Sequence, residues 1–198
     1  MRERAQNGFS LVEMLVSMTV LMLALGSLTS LLIQNSRINK AQRMAAETQA
    51  NARNTLSMVV QKLRSAGWDP RNTGGFPTVN TDPDLSDDIS EIEVFADLDE
   101  DTLTDSQDEQ ILIRHLGSSS QVVWRLTNDV SDPFDIVSTN ITNDADGNGT
   151  PEPMFVPDAT PPTRITVTVT ARSPAPDPTT RRFIRYTVSS DVVLRKSL

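Results

Sequence analysis

From Phe9 to Ile33 the chain is apolar or small at every position but one, and the exception is Glu13. A helix of these 25 residues reaches roughly 37 Å at about 1.5 Å per residue, more than a hydrocarbon core of about 30 Å. No A-x-A pattern directly follows, as it would after a secretory signal. Between Phe9 and Trp68 there is no proline, and only Gly26 and Gly67 interrupt good helix formers. Past the apolar run, Ile38, Ala41, Ala45, Thr48, Ala52, Leu56, Val59, Leu63 and Ala66 keep helical spacing. The pattern predicts one helix to about Ser65, a membrane-spanning part over 9–33 and an amphipathic part over 34–66. The lower stripe is alanine-rich and suits close packing of neighbouring helices. The upper stripe, with Leu56, Val59, Val60 and Leu63, suits a β-sheet. Gly67 and Asp69-Pro70 supply the stop.

Beyond the helix the period changes. Thr73-Gly74-Gly75, Pro77 and Pro83 mark a loop. Strand-like runs follow at 89–96, 110–116, 121–126, 134–141, 164–171 and 182–194. Arg164-Ile-Thr-Val-Thr-Val-Thr alternates as a sheet with one wet face should. The expected fold class is α+β, one long N-terminal helix on an antiparallel β-sheet head spanning 67–198.

Composition narrows the chemistry. The 198 residues carry a formal charge of −8, no cysteine and one histidine, His115. The acidic balance disfavours a nucleic-acid partner, because the phosphate backbone would be repelled. Without cysteine there is neither a disulfide nor cysteine-ligated zinc. A single histidine leaves no multi-histidine metal site, and there is no nucleophile–base pair or phosphate-binding glycine loop, so no enzyme is expected. His115, in a strand-like run, reads as a structural or exposed strand residue, and Trp68 and Trp124 as packing residues.

Glu13 demands a reason. A carboxylate in the apolar phase costs about 2.5–3.5 kcal/mol on insertion scales and usually has a partner. No Lys or Arg lies between Phe9 and Ile33. An amine at Phe9, four residues before Glu13, would answer it, but exists only if the chain is cut after Gly8. The charged stretch Met1–Asn7, then Gly8, then Phe9-Ser10-Leu11-Val12-Glu13, resembles the class III signal of type IV prepilins and pseudopilins. The resemblance implies a leader over 1–8, removed after Gly8 by a prepilin peptidase that also N-methylates Phe9. It makes Glu13 the assembly residue, and it implies the pilin fold.

"NARNTLSMVVQKLRSAGWDP" (51–70), "DLDEDTLTDSQDEQILIR" (97–114) and the segment 164–195 are similar to PilW-type minor pilins, relatives of the J-type minor pseudopilin of type II secretion. This implies a structural, initiating or tip subunit of a type IV pilus, or else a type II pseudopilin, or a tip adhesin or docking subunit. Implied partners are other minor and major pilins, the prepilin peptidase, the inner-membrane assembly platform and a tip adhesin. The implied location is a single-pass inner-membrane precursor with its head in the periplasm, later carried to the pilus at the cell surface. Charge counting alone does not select that orientation. Arg2 and Arg4 precede the apolar run, but Arg37, Lys40 and Arg43 follow it.

Residues 69–110 hold fourteen Asp or Glu against one basic residue, Arg71. Asp97, Asp99, Asp101, Leu103, Asp105 and Asp108 fall at loop positions 1, 3, 5, 7, 9 and 12, the oxygen spacing a calcium loop uses. Thr102 stands where such loops carry glycine. A second stretch places Asp144, Asp146, Asn148 and Glu152 at positions 1, 3, 5 and 9, with Gly149 at 6 and no carboxylate at 12. Asp, Asn and Gly also dominate turns without any metal. No cofactor is required by this reading, and Ca²⁺ is the candidate ion for both loops.

Overall fold

A computed structural model describes residues 10–69, 79–82, 89–98, 100, 109–126, 131–160 and 162–194. One helix, α1 (Leu11–Leu63), leads into eight strands: β1 (Val79–Asp82), β2 (Ile89–Phe95), β3 (Gln110–Leu116), β4 (Gln121–Arg125), β5 (Asp135–Thr139), β6 (Phe155–Pro157), β7 (Arg164–Arg172) and β8 (Arg185–Val193). At 53 residues α1 is about 80 Å long, far longer than the head it serves.

The helix opens at Ser10, an extended residue whose carbonyl accepts the Met14 N–H. It closes within two residues of the expected end. The Arg64 N–H returns to the Val60 carbonyl, and Gly67, at φ 69°, takes the left-handed turn that ends it. The Gly67 N–H then reaches the Phe95 carbonyl, and the Asp97 N–H reaches Trp68. The helix end is thereby stitched to the end of β2.

The expected single sheet is two. Strands β1 to β5 form an antiparallel meander in sequence order, and β6, β7 and β8 form a second antiparallel sheet. One bridge, Ile141 to Ala171, links them. Six strands lie where alternation places them; β1 and β6 were not anticipated. Val-Asn-Thr-Asp of β1 has no strand pattern of its own and is held by pairing with β2. Phe-Val-Pro of β6 is short and ends in proline, fitting the outer position it takes beside β7.

Alternation explains the core. On β7, Ile165, Val167, Val169 and Ala171 point inward, and on the other sheet Ile92, Val94, Ile111, Ile113 and Val122 do the same. From the helix, Ala52, Val59, Val60, Leu63 and Ala66 complete the cluster. The buried stripe runs Met44, Thr48, Ala52, Thr55, Val59, Leu63, so the expected Ile38 and Leu56 lie outside or at its edge. Polar contacts set the helix across both sheets. Gln49 and Arg53 donate to the Tyr186 hydroxyl on β8 at 3.2 and 3.1 Å, and Asn51 donates to the Thr139 carbonyl and accepts from Ser138 on β5.

Candidate functional site

The head covers α1 only from Met44 upward; every residue from Ser10 to Lys40 is exposed. Leu11, Val20, Leu23, Leu31 and Leu32 are each more than half exposed, and none has a partner in the fold. Such a surface is too large and too apolar for water. The lower part of α1 is the one described helix long and apolar enough to cross a membrane.

Four of its six hydroxyls are matched to that setting. Ser17 donates to the Glu13 carbonyl at 2.7 Å, Thr19 to Val16, Ser27 to Leu23 and Thr29 to Leu25. Each of these is satisfied by its own helix, so none needs water or another chain. Gly26 has nothing within 4 Å where a Cβ would stand, and so leaves a flat place on the rod.

Glu13 has no such solution. It sits in the first turn, where the helix dipole favours negative charge. Between Ser10 and Asn35 it is the sole ionisable side chain, and Arg37 is nearly seven helical turns away. Phe9 and Gly8 lie outside the described residues. Glu13 is thus an exposed acid on an apolar surface, four positions after the residue that a cut at Gly8 would make the N-terminus.

The acidic loops present a different picture. Asp97 is fully buried at the foot of the first one. Glu109, equally buried, accepts the Leu98 N–H at 2.7 Å, and its own carbonyl takes the Ala96 N–H. Asp99, Asp101, Leu103, Asp105 and Asp108 lie outside the described residues. In the second loop the oxygens turn onto the loop's own backbone. Asp144 accepts the N–H groups of Gly147 and Gly149, Asp146 that of Asn148, and Asn148 that of Thr150. The Arg185 guanidinium stands 3.6 Å from Asp144, supplying the positive charge a cation would bring. Glu152 is exposed, and its backbone pairs with Asn143. Asp144, Asp146 and Asn148 thus form a hydrogen-bonded turn, which Glu152 joins through its backbone. Among the described residues no three acidic or histidine side chains gather as a metal would require.

His115 is buried on β3, its Nε2 3.0 Å from the Ile141 carbonyl, which ties β3 to the bridge between the sheets. It is the structural histidine of the two expected alternatives. Trp124 packs on the core edge with Lys62 over its ring at 5.5 Å, whereas Trp68 is 39% exposed beside the helix end. Sequence patterning missed Tyr186, which anchors the helix through its hydroxyl. An isolated tyrosine in a loosely alternating strand gives no such signal.

Residues 4–29 match the family model for the prokaryotic N-terminal methylation motif. No match was found among curated proteins or among solved structures. The matched segment spans Gly8, Phe9 and Glu13 and most of the exposed apolar helix. The chain thus carries the N-terminal motif of type IV pilin-like precursors at the foot of a long helix packed on antiparallel sheets, a pilin-like architecture.

Proposed function

We propose that this protein is a minor pilin, an initiating or tip subunit of a type IV pilus. It is made as a membrane-anchored precursor, cut after Gly8, methylated on Phe9 and assembled through α1. The observation that carries this reading is Glu13: one acid on an otherwise apolar helix surface, at the head of a segment matching the methylation motif. Leaving the bilayer for a bundle of similar helices changes the apolar surroundings little, so hydrophobic energy neither drives nor opposes the transfer strongly. Charge pairing then sets the register. The Phe9 amine of one subunit meets Glu13 of its neighbour, and each removes the other's cost.

The test is Glu13→Ala in the native host. Removing one partner of a buried pair costs about 3–5 kcal/mol. Membrane levels should therefore stay unchanged while incorporation into filaments falls by more than about tenfold, the factor that about 1.4 kcal/mol alone produces. Normal incorporation contradicts the pairing. A minor pseudopilin of type II secretion would use the same cut and the same helix, and copurification with pilus or with secretion subunits distinguishes the two.

Calcium belongs to this proposal in the loop 97–108 alone. What supports it is the oxygen spacing, and the cost of holding the four close carboxylates of Asp97, Asp99, Glu100 and Asp101 together without a cation. In the loop 144–152, Arg185 already meets that need.

A further inference from the structure

Arg37, Lys40 and Arg43 follow the apolar run on the side of the head, where charge counting would not place them and assembly through Glu13 gives them no task. The fold adds to them. Tyr186, second residue of β8, sits opposite Gln49 and Arg53. The remaining length of β8 is roughly 23 Å at about 3.3 Å per residue. The far end of β8 carries Val192 and Leu194, buried in the cluster that Val60, Leu63 and Ala66 join from the helix, so β8 continues upward. The β7–β8 hairpin end therefore points back down α1, toward the apolar run.

That end is well ordered by its own bonds. The Ser173 N–H reaches the Ile184 carbonyl and the Asp177 N–H reaches Arg182, carrying both strands past the Arg172–Arg185 pair. Arg181, at φ 58°, closes the turn, and Arg181 and Arg182 are exposed at its tip. Acids also stand at this end, Glu152 exposed among them, and two of the others face a cation. Glu47 holds Arg43 at 2.8 Å, Asp144 faces Arg185, Asp177 accepts from Thr179 and Thr180, and Asp146 accepts from Asn148. Arg37, Lys40, Arg181 and Arg182 are left presenting charge to solvent at one level of the molecule.

Heights decide what these four meet. Arg37 and Lys40 stand about 6 and 10 Å beyond Ile33 along the helix, and the polar zone of a bilayer is roughly 5–8 Å deep on each side. The hairpin tip, some four residues below Tyr186, hangs about 14 Å above the hydrocarbon edge. That is within a Debye length, about 8 Å, of the headgroups.

We propose that Arg37, Lys40, Arg181 and Arg182 form a basic collar that docks the head on anionic phospholipid headgroups of the leaflet from which α1 emerges. Before assembly it holds the anchored chain base-down. The proposal rests on α1 spanning a bilayer.

The chain has no cysteine, so Thr179→Cys places one fluorophore at the hairpin tip. The full chain is put into nanodiscs of phosphatidylcholine alone, or of phosphatidylcholine with phosphatidylglycerol, each with a headgroup-bound quencher. Stronger quenching is expected with phosphatidylglycerol. It should vanish at about 1 M salt, where the Debye length is about 3 Å, and in the variant R37Q/K40Q/R181Q/R182Q. Arg181→Gln alone should weaken the preference about fivefold, the contribution of one basic residue near an anionic surface. Equal quenching in both bilayers, with the chain inserted, overturns the collar alone and is the result expected if the basic end serves an acidic protein neighbour. A chain that fails to enter either nanodisc overturns the collar and the membrane reading together.

Discussion

Glu13 and the four hydroxyls above it are two answers to one problem at the scale of the residue. Ser17, Thr19, Ser27 and Thr29 spend their donors on carbonyls of their own helix, and the rod keeps a closed apolar surface. Glu13 cannot, because a carboxylate accepts and does not donate, and the carbonyls of its helix offer it nothing. It needs a donor from elsewhere, and in the proposed reading the amine of a neighbouring subunit supplies it. In the head, Asp158 is a simpler case. The Thr163 hydroxyl and the N–H groups of Arg164 and Thr163 lower its pKa from the usual 3.8 to about 2. An acid whose folded pKa is depressed stabilises the fold above its unfolded value and loses that contribution as pH falls toward the folded one. Thermal denaturation across pH 4 to 2 should therefore show a shallower acid limb in Asp158→Asn than in the parent chain. Parallel limbs would mean that the β6–β7 turn does not hold this carboxylate. Calcium is decided at the same scale. The melting temperature should rise with added Ca²⁺ in the parent chain and in Asp144→Asn, and stay flat in Asp101→Asn. A parent chain indifferent to calcium rules out the ion at 97–108.

The elements show why some of this could be read from the chain and some could not. α1 was legible nearly to its last residue because proline is absent and apolar spacing holds throughout. Its buried face was legible less well. Met44 and Thr55 are inside while Ile38 is 43% exposed, since the head stops short of Ile38 and no periodicity marks where a neighbour ends. Strand β7 was plain because one of its faces is wet and the other dry. Pairing created β1, and the splitting into two sheets depends on long-range contacts around Ile141 that no local pattern encodes. The Asp144 turn was ambiguous for a different reason. Its residue types serve a calcium loop and a hydrogen-bonded turn alike, and Arg185, which weighs against the ion, is 41 positions away in sequence. Helix and sheets depend on each other most at Leu63, fully buried among residues of both sheets. Leu63→Ala should cost about 2–5 kcal/mol of head stability by chemical denaturation, and leave membrane insertion through residues 9–33 untouched. A change under about 1 kcal/mol would show that the upper helix is not the spine of the core.

Taken whole, the molecule is a rod with a head on one half and nothing on the other. In the head the core closes on the upper helix, and the buried histidine and the docking tyrosine find their partners within the fold. In the proposed reading the bare half is covered first by lipid and then by like helices, and Glu13 marks where the second covering is made. Mass spectrometry of the protein recovered from assembled filaments of its native host tests this most directly. The account predicts a chain that begins at Phe9 and carries one methyl group on its amino nitrogen. A filament subunit still bearing residues 1–8 would contradict it, because no amine would then stand beside Glu13.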